Sequence, residues 1–329
     1  MTTSTDSNIL LQVRDLSVRY SLKGRDANGK RKSLLAVDNV SFDIERGRTL
    51  GIVGESGSGK TTAAMAVARL VEKEAGSLII DGTDFGSLSG DELRRARQRV
   101  QIIFQDPYSS LNPRLRAEDI VREPLRHAGD TSRAEQDEII DELFAAVGLR
   151  PEQKRLFPHQ FSGGQRQRIG IARAIAPRPS LVICDEPVSA LDVAVQAQIL
   201  NLLKSLQRKF DLTYLFISHD LGVVQHMCDD IAVMYMGQFV ERAQREAFFA
   251  AQRHPYSQAL LSAVPKIETR ADALSRHDIS GPPPDLTKDQ IECRFAGRCP
   301  HVTDICRASV PALLPIGGDH QTACHLVDN

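Results

Sequence analysis

The chain has no run of about twenty consecutive apolar residues, so no part of it is expected to cross a membrane as a helix. It has no excess of either charge: 41 Lys and Arg stand against 42 Asp and Glu. Composition therefore gives no reason to expect a nucleic-acid partner. The basic runs Lys30-Arg31-Lys32 and Arg94-Arg95-Ala96-Arg97 read as solvated loop or face. The opening residues Met1-Thr2-Thr3-Ser4-Thr5-Asp6-Ser7 are polar and lack the apolar stretch of a signal peptide. No internal repeat is evident and no heptad pattern is sustained. Cysteines are few, six in 329 residues, and four of them crowd the last stretch. Together these features predict a cytosolic protein, whose role at any membrane would come through partners.

What the chain does have is a glycine-rich loop, Gly54-Glu55-Ser56-Gly57-Ser58-Gly59-Lys60-Thr61, of the form G-x-x-x-x-G-K-[ST]. Leu50-Gly51-Ile52-Val53 before it suits a buried strand, and Thr62 to Leu70 after it is rich in helix formers. In that context the glycines let backbone N–H groups turn inward on phosphate oxygens. Lys60 supplies a charge for the β- and γ-phosphates, and the Thr61 hydroxyl can ligate Mg²⁺.

Around this loop the chain reads as alternating strands and helices. Strands are expected over 10–20, 35–44, 77–82, 100–105, 181–186, 213–218 and 231–235, with a solvated loop at 21–33. Helices are expected over 113–126, 132–147, 152–157, 193–210 and 254–264, Gly148 stopping the second of these. The pattern predicts an α/β fold with a mostly parallel sheet, an antiparallel β element before the phosphate loop and a helical insertion at about 106–180. The character changes near 250, where a long loop with Pro282-Pro283-Pro284 leads to the cysteines, so the divisions expected are 1–250 and 251–329.

Several strand ends carry chemistry, and open α/β sheets bind ligands at the C-terminal ends of their strands. Asp185 and Glu186 follow four apolar residues. Asp185 can hold Mg²⁺, leaving Glu186 to orient or deprotonate an attacking water. Gln105 closes an apolar run, where its amide could reach Mg²⁺ or that water. His219 follows the 213–218 strand and could touch a γ-phosphate, although a histidine there is more often structural. Tyr20 could stack on a purine, although half-buried packing is the commoner role. Phe161-Ser162-Gly163-Gly164-Gln165 opens a helix with Ser162 as its cap, a second site for an anion.

In this order the elements resemble the nucleotide-binding subunit of ATP-binding cassette (ABC) transporters. The loop at 54–61, Gln105, Phe161-Ser162-Gly163-Gly164-Gln165, Val182 to Glu186, Ser189-Ala190-Leu191-Asp192 and His219 match that family's Walker A, Q-loop, signature, Walker B, D-loop and switch histidine. Phe161 departs from the more usual Leu. The resemblance implies two subunits packed head to tail, each ATP lying between Lys60 of one and Ser162 of the other. It adds Thr62, Gly163, Gly164, Gln165 and Asp192 to the nucleotide contacts, with Thr61, Gln105 and Asp185 at the Mg²⁺. Hydrolysis would then drive a membrane partner.

A narrower resemblance is to the dipeptide/oligopeptide importer ATPases. It is carried by Ile103 to Arg114, by His254-Pro255-Tyr256, and by the tail opening Cys293-Arg294-Phe295-Ala296-Gly297-Arg298-Cys299-Pro300. The wording Asp106-Pro107-Tyr108 and the loop at 21–33 look more like the second of two ATPases, the "F-type" subunit. The resemblance then implies a "D-type" ATPase as heterodimer partner, two permeases, an extracellular peptide-binding protein, and a place on the cytoplasmic face of the cell membrane. Nickel or another solute is an alternative cargo. A soluble cassette ATPase acting on DNA or ribosomes would call for a coiled-coil insertion, a second cassette or a basic stripe, none of which is seen. A nucleotide-gated metal sensor rests on the tail alone.

In that tail Cys293, Cys299, Cys306 and Cys324 are spaced C-x5-C-x6-C-x17-C. Zinc sites favour short C-x2–4-C pairs, so the spacing argues against zinc, while four thiolates can hold a [4Fe–4S] cluster. Some importer ATPases resembling this tail carry such a cluster. A [4Fe–4S] cluster, zinc and no metal all stay open. Because the tail is poor in aliphatic residues and has little core of its own, a metal could staple it.

Overall fold

The structure, a computed structural model, describes residues 8–25, 31–128, 131–262, 281, 284–285, 287 and 291–327. Along the chain lie β1 (Ile9–Arg25), β2 (Arg31–Glu45), β3 (Thr49–Val53), α1 (Lys60–Val67), β4 (Ala75–Ile80), β5 (Thr83–Asp84), α2 (Gly90–Ala96) and β6 (Val100–Ile103). There follow α3 (Ala117–Ala128), α4 (Arg133–Ala146), α5 (Gly163–Ile175), β7 (Leu181–Asp185), α6 (Val193–Phe210), β8 (Thr213–Ser218) and α7 (Leu221–Met227). The last elements are β9 (Asp230–Tyr235), β10 (Gln238–Gln244), α8 (Arg245–Ala250), α9 (Pro255–Ser262), α10 (Asp304–Ala308), β11 (Leu314–Gly317) and β12 (His320–Thr322). They form two compact units, each assembled from separate stretches: 1–11, 43–48 and 79–216 in the first, 12–42, 49–78 and 217–329 in the second.

In the first unit β6 and β7 pair in parallel, Val100 opposite Leu181 and Ile103 opposite Cys184. All five residues of β7 are buried, as a strand covered on both faces requires. Three helices, α3, α4 and α5, occupy the chain between these strands. Ser132 closes a capping box with Glu135 at the start of α4, satisfying two N–H groups that the helix leaves unpaired. Gly148, at φ 71°, follows its end, as expected. The buried Arg122 of α3 pairs with Asp137 of α4 at 2.6 Å.

In the second unit β3 pairs in parallel with β9, and β10 runs antiparallel to β9. The chain's last strands extend this edge: β12 pairs antiparallel with β10, and β11 with β12. A bulge at Phe239/Glu241 shifts the β9–β10 register, and Glu241 is fully buried.

Several expectations are corrected. β1 continues to Arg25 and β2 starts at Arg31, so all of the described part of the expected 21–33 loop is strand; residues 26–30 lie outside the described residues. Antiparallel strands with a solvated face tolerate this polar sequence. β6 stops at Ile103, leaving Phe104 and Gln105 exposed. The helix after the phosphate loop spans Lys60–Val67 rather than 62–70, and Arg69 takes a left-handed φ of 56° just beyond it. α3 begins at Ala117 rather than 113, and 152–157 is a short 3₁₀ turn over Pro151–Arg155. α9 begins at Pro255 rather than 254; residues 263–264 of the expected helix, like Pro282 and Pro283, lie outside the described residues. The tail is no coreless appendage, because Phe295, Ala296, Cys306 and Ala323 are all buried.

Candidate functional site

The phosphate loop joins β3 to α1 in the second unit. Two glycines are required by close backbone approach: a Cβ on Gly54 would lie 2.2 Å from the Met234 carbonyl oxygen, and one on Gly59 2.4 Å from that of Ala36. Gly59 also holds φ 104° as the cap of α1. The buried Lys60 folds back over the loop, its Nζ donating to the Gly54 and Glu55 carbonyls at 2.8 and 2.7 Å. Gly237 N–H donates to the Ser58 carbonyl at 2.8 Å, fixing the loop against the β9–β10 turn. Ser56, Gly57 and Thr61 are exposed and Thr62 is half-buried. Tyr20, in β1, is 37% exposed, which leaves its ring available to stack. His219 is exposed just past β8, and the next residue, Asp220, caps α7 by accepting N–H groups of Gly222 and Val223.

In the first unit the structure brings Gln105 and Glu186 together, Gln105 Nε2 donating to Glu186 Oε2 at 3.1 Å. Glu186 sits one residue past β7 with φ 47°, a left-handed conformation that costs a non-glycine residue about 1–2 kcal/mol. The turn thus directs Glu186 away from the strand line, while Asp185 ends the strand buried. Ser162 and Gln165 form a reciprocal capping box at the start of α5, the Ser162 N–H donating to Gln165 at 3.0 Å. Gly163 and Gly164 open that helix half-buried. Asp192 caps α6, accepting the Val195 N–H at 2.9 Å.

Helix α5 also organises what surrounds it. The Arg166 guanidinium lies 4.2 Å from the Tyr108 ring centroid, a cation–π contact. Arg173 donates to the Ser110 carbonyl at 2.6 Å. The buried Gln167 donates to the Pro187 carbonyl at 2.8 Å. Backbone N–H groups of Tyr108 and Ser109 donate to Asp106, holding its carboxyl below the usual range.

Sequence reasoning did not assign a set of residues that bear on the phosphate loop from the second unit's C-terminal half. Tyr256 Oη accepts the Glu55 backbone N–H at 2.8 Å, and Arg298 pairs with the Glu55 carboxylate. Tyr256, Tyr235 and Phe295 pack as a buried aromatic cluster, with Tyr235 and Tyr256 centroids 4.6 Å apart. Burial pushes the Tyr256 hydroxyl's pKa well up, so it stays protonated. His254 Nδ1 accepts the Tyr256 N–H at 3.0 Å, and burial lowers this imidazole's pKa to about 4. Glu241 accepts the Arg253 and His254 N–H groups and lies 2.7 Å from His320 Nε2. Arg294 pairs with Asp38. The two short stretches behind the narrower resemblance, 254–256 and 293–300, were thus the signal for these contacts.

No disulfide joins any of the six cysteines. Burial raises the thiol pKa of Cys293 to about 11, with Cys306, Cys324 and Cys299 adding to the effect, so the four share one neighbourhood. Among the described residues no three His, Cys, Asp or Glu side chains are placed to hold one metal ion. Likewise, no helix among them is long and apolar enough to cross a membrane.

Residues 37–189 match the family described as ABC transporter, and residues 240–306 match the oligopeptide/dipeptide transporter C-terminal region. The oligopeptide transport ATP-binding protein AppF of Bacillus subtilis is 43% identical over 98% of this chain and 99% of its own length. A protein of Sinorhizobium fredii named "Probable peptide ABC transporter ATP-binding protein y4tS" is 45% identical over 97% of this chain and 90% of its own length. Among solved structures, the dimeric post-hydrolysis state of the ATP-binding cassette MJ0796 bound to ADP and Pi aligns with a TM-score of 0.64 and 28% identity. That alignment covers 72% of this chain and 99% of the other. The fold is that of the P-loop ABC ATPases, with antiparallel β and helical parts and a small cysteine-bearing extension. The expected label of an F-type ATPase subunit is not supported, because the matches reach the importer family without assigning one of two ATPase places. The chain belongs to the ATP-binding subunits of ABC transporters, in the oligopeptide/dipeptide importer family.

Proposed function

We propose that this chain hydrolyses ATP to energise import of di- or oligopeptides, working from the cytoplasmic face of a membrane. The observation that carries the reading is the near full-length likeness to peptide-transport ATP-binding proteins, through the C-terminal region as well as the cassette. We assign residues 1–250 to the ATPase domain, with a helical subdomain at about 106–180, and 251–329 to an importer-type extension.

Within the cassette, the loop from Gly54 to Thr62 would bind the triphosphate, with Lys60 as its mobile cation and Tyr20 against the purine. Thr61, Asp185 and Gln105 would hold Mg²⁺, which neutralises charge on the β- and γ-phosphates. Glu186 is the candidate general base, supported by its turned-out backbone and its contact to Gln105. His219 would meet the γ-phosphate. Ser162, Gly163, Gly164, Gln165 and Asp192 would serve the nucleotide on the partner ATPase, the exposed Ser162 suiting that part. That partner is proposed to be a D-type subunit, the pair acting with two permeases and an extracellular peptide-binding protein. Reconstituted with such permeases and binding protein, the complex should hydrolyse ATP faster when peptide is added. Stimulation by nickel and not by peptide would move the cargo to the alternative class.

For the tail, Cys293, Cys299, Cys306 and Cys324 are proposed as ligands of a [4Fe–4S] cluster. The spacing C-x5-C-x6-C-x17-C argues against zinc, whose sites favour short C-x2–4-C pairs. A four-iron cluster gives each thiolate its own iron, so the sulfurs need not converge on a point. Their shared neighbourhood supports this, and the raised thiol pKa means binding would release protons. Anaerobic purification with iron and sulfide analysis tests it; about four of each is expected, and neither iron nor zinc at stoichiometric level would discard the cluster.

A further inference from the structure

Glu55 is the second residue of the phosphate loop, and its carboxylate adds negative charge where a polyanion is to bind. Both of its oxygens are engaged by one guanidinium: Arg298 Nη1 lies 3.0 Å from Oε2 and Nη2 lies 3.2 Å from Oε1. Such a two-point, charge-assisted pair fixes orientation as well as charge. The Arg298 side chain is only 10% exposed, and Nη1 also reaches Tyr235 Oη at 3.3 Å. From the other side Tyr256 Oη accepts the Glu55 N–H at 2.8 Å, setting the Gly54–Glu55 peptide plane. Lys60 then donates to the carbonyls of both Gly54 and Glu55. Residues 201 and 243 positions away in sequence therefore hold the start of the loop.

We propose that Arg298 is a positioning residue for nucleotide binding: it pairs the Glu55 carboxylate so that the loop presents net positive charge to a nucleoside triphosphate. This rests on the reading of 54–61 as the ATP site. An unpaired carboxylate there would repel the triphosphate, and the repulsion would be stronger at low salt. The competing role, in which Arg298 merely holds the tail in place, predicts no dependence on the Glu55 charge.

The test is ATP affinity of the full chain by titration calorimetry at low and high salt. Arg298→Gln keeps most of the side-chain volume and should weaken ATP binding about three- to tenfold, more at low salt. Arg298→Lys, which keeps the charge, should recover part of the loss. The Glu55→Gln/Arg298→Gln double variant restores the native net charge of the pair and should bind ATP within about twofold of the native chain. Glu55→Gln alone leaves the Arg298 charge uncompensated beside the loop and should bind ATP more tightly than the native chain, more so at low salt, an outcome readable even if the Arg298 variants unfold. Equal or weaker binding by Glu55→Gln, or a double variant that binds ATP as weakly as Arg298→Gln alone, would overturn the proposal. Lys60→Ala separates the two levels: if it binds ATP as well as the native chain, the loop assignment itself fails.

Discussion

Gln167, buried in helix α5, donates its side-chain amide to the carbonyl of Pro187 at 2.8 Å, one residue past Glu186. The same nitrogen lies 3.5 Å from the carbonyl of Phe104, one residue before Gln105. A single amide on the signature helix thus stands behind both members of the Gln105–Glu186 pair. Gln167→Leu removes the donor while keeping most of the volume. A buried carbonyl that loses its donor costs about 1–3 kcal/mol, and the turn carrying Glu186 is the element released. The expected outcome is an ATP turnover reduced about tenfold or more, since small misplacements of a catalytic group are costly. ATP affinity should change less than about twofold, because the amide of Gln167 bonds to the Pro187 and Phe104 carbonyls and so acts on the Gln105–Glu186 pair. Single-turnover hydrolysis alongside equilibrium binding reads both; unchanged turnover would detach Gln167 from the site.

Glu186→Gln should block turnover while leaving ATP bound. The substitution keeps size and hydrogen-bonding capacity, so the contact to Gln105 and the turn at φ 47° can persist while the base is lost. Losses of about 10²–10⁴ are typical when a general base is removed. Hydrolysis by the assembled transporter at near-native rate would sink the role given to Glu186.

The elements legible in the sequence were those specified by short-range chemistry. The phosphate loop needs its glycines and lysine within eight positions, and the Ser162–Gln165 and Ser132–Glu135 boxes each close over three residues. Buried strands such as β7 announce themselves as apolar runs. Elements whose limits depend on a neighbour were not legible. β1 and β2 run into polar sequence because each pairs with the other, and α1 stops early because Arg69 takes a left-handed conformation that a helix cannot continue through. The supports of the phosphate loop were hidden for a plainer reason. Tyr256 and Arg298 lie far from Glu55 in sequence, and nothing in local spacing says that they meet it. The tail looked coreless because aliphatic residues were counted, whereas its core is aromatic and partly built from Tyr235 and Tyr256.

Phe295 is the residue on which that shared core turns. It lies 5.3 Å from Tyr235, 5.6 Å from Tyr256 and 5.7 Å from His254, ring to ring, and is 1% exposed. Phe295→Ala removes all three contacts and opens a cavity, a change that costs about 3–5 kcal/mol in a well-packed core. Because Arg298 follows on the same turn, the loss should also loosen the phosphate loop. The prediction is a lower melting temperature together with faster proteolysis after residue 290, while Phe295→Leu, which refills part of the volume, should restore most of both. A tail no more sensitive to protease than the native one would show that Phe295 is not its anchor.

His254 makes stability depend on pH in a defined direction. Its ring is buried against Phe295, its Nδ1 accepts the Tyr256 N–H, and the fully buried Glu241 accepts its backbone N–H. Burial outweighs the nearby Glu241 carboxylate and lowers the imidazole pKa to about 4, from about 6.5 in an unfolded chain. Above pH 6.5 the ring is neutral in both states. As pH falls below that value the unfolded chain takes up a proton that the folded chain refuses, so stability drops until the folded ring titrates near 4. One pH unit within this window is worth about 1.4 kcal/mol. His254→Asn keeps an acceptor near the Nδ1 position and removes the titration. Between pH 7.5 and 5.5 the native chain should therefore lose about 1–1.5 kcal/mol more than this variant. Urea midpoints of the two proteins at both pH values measure the difference. Identical shifts would mean that the buried imidazole does not govern the acid side of the stability curve.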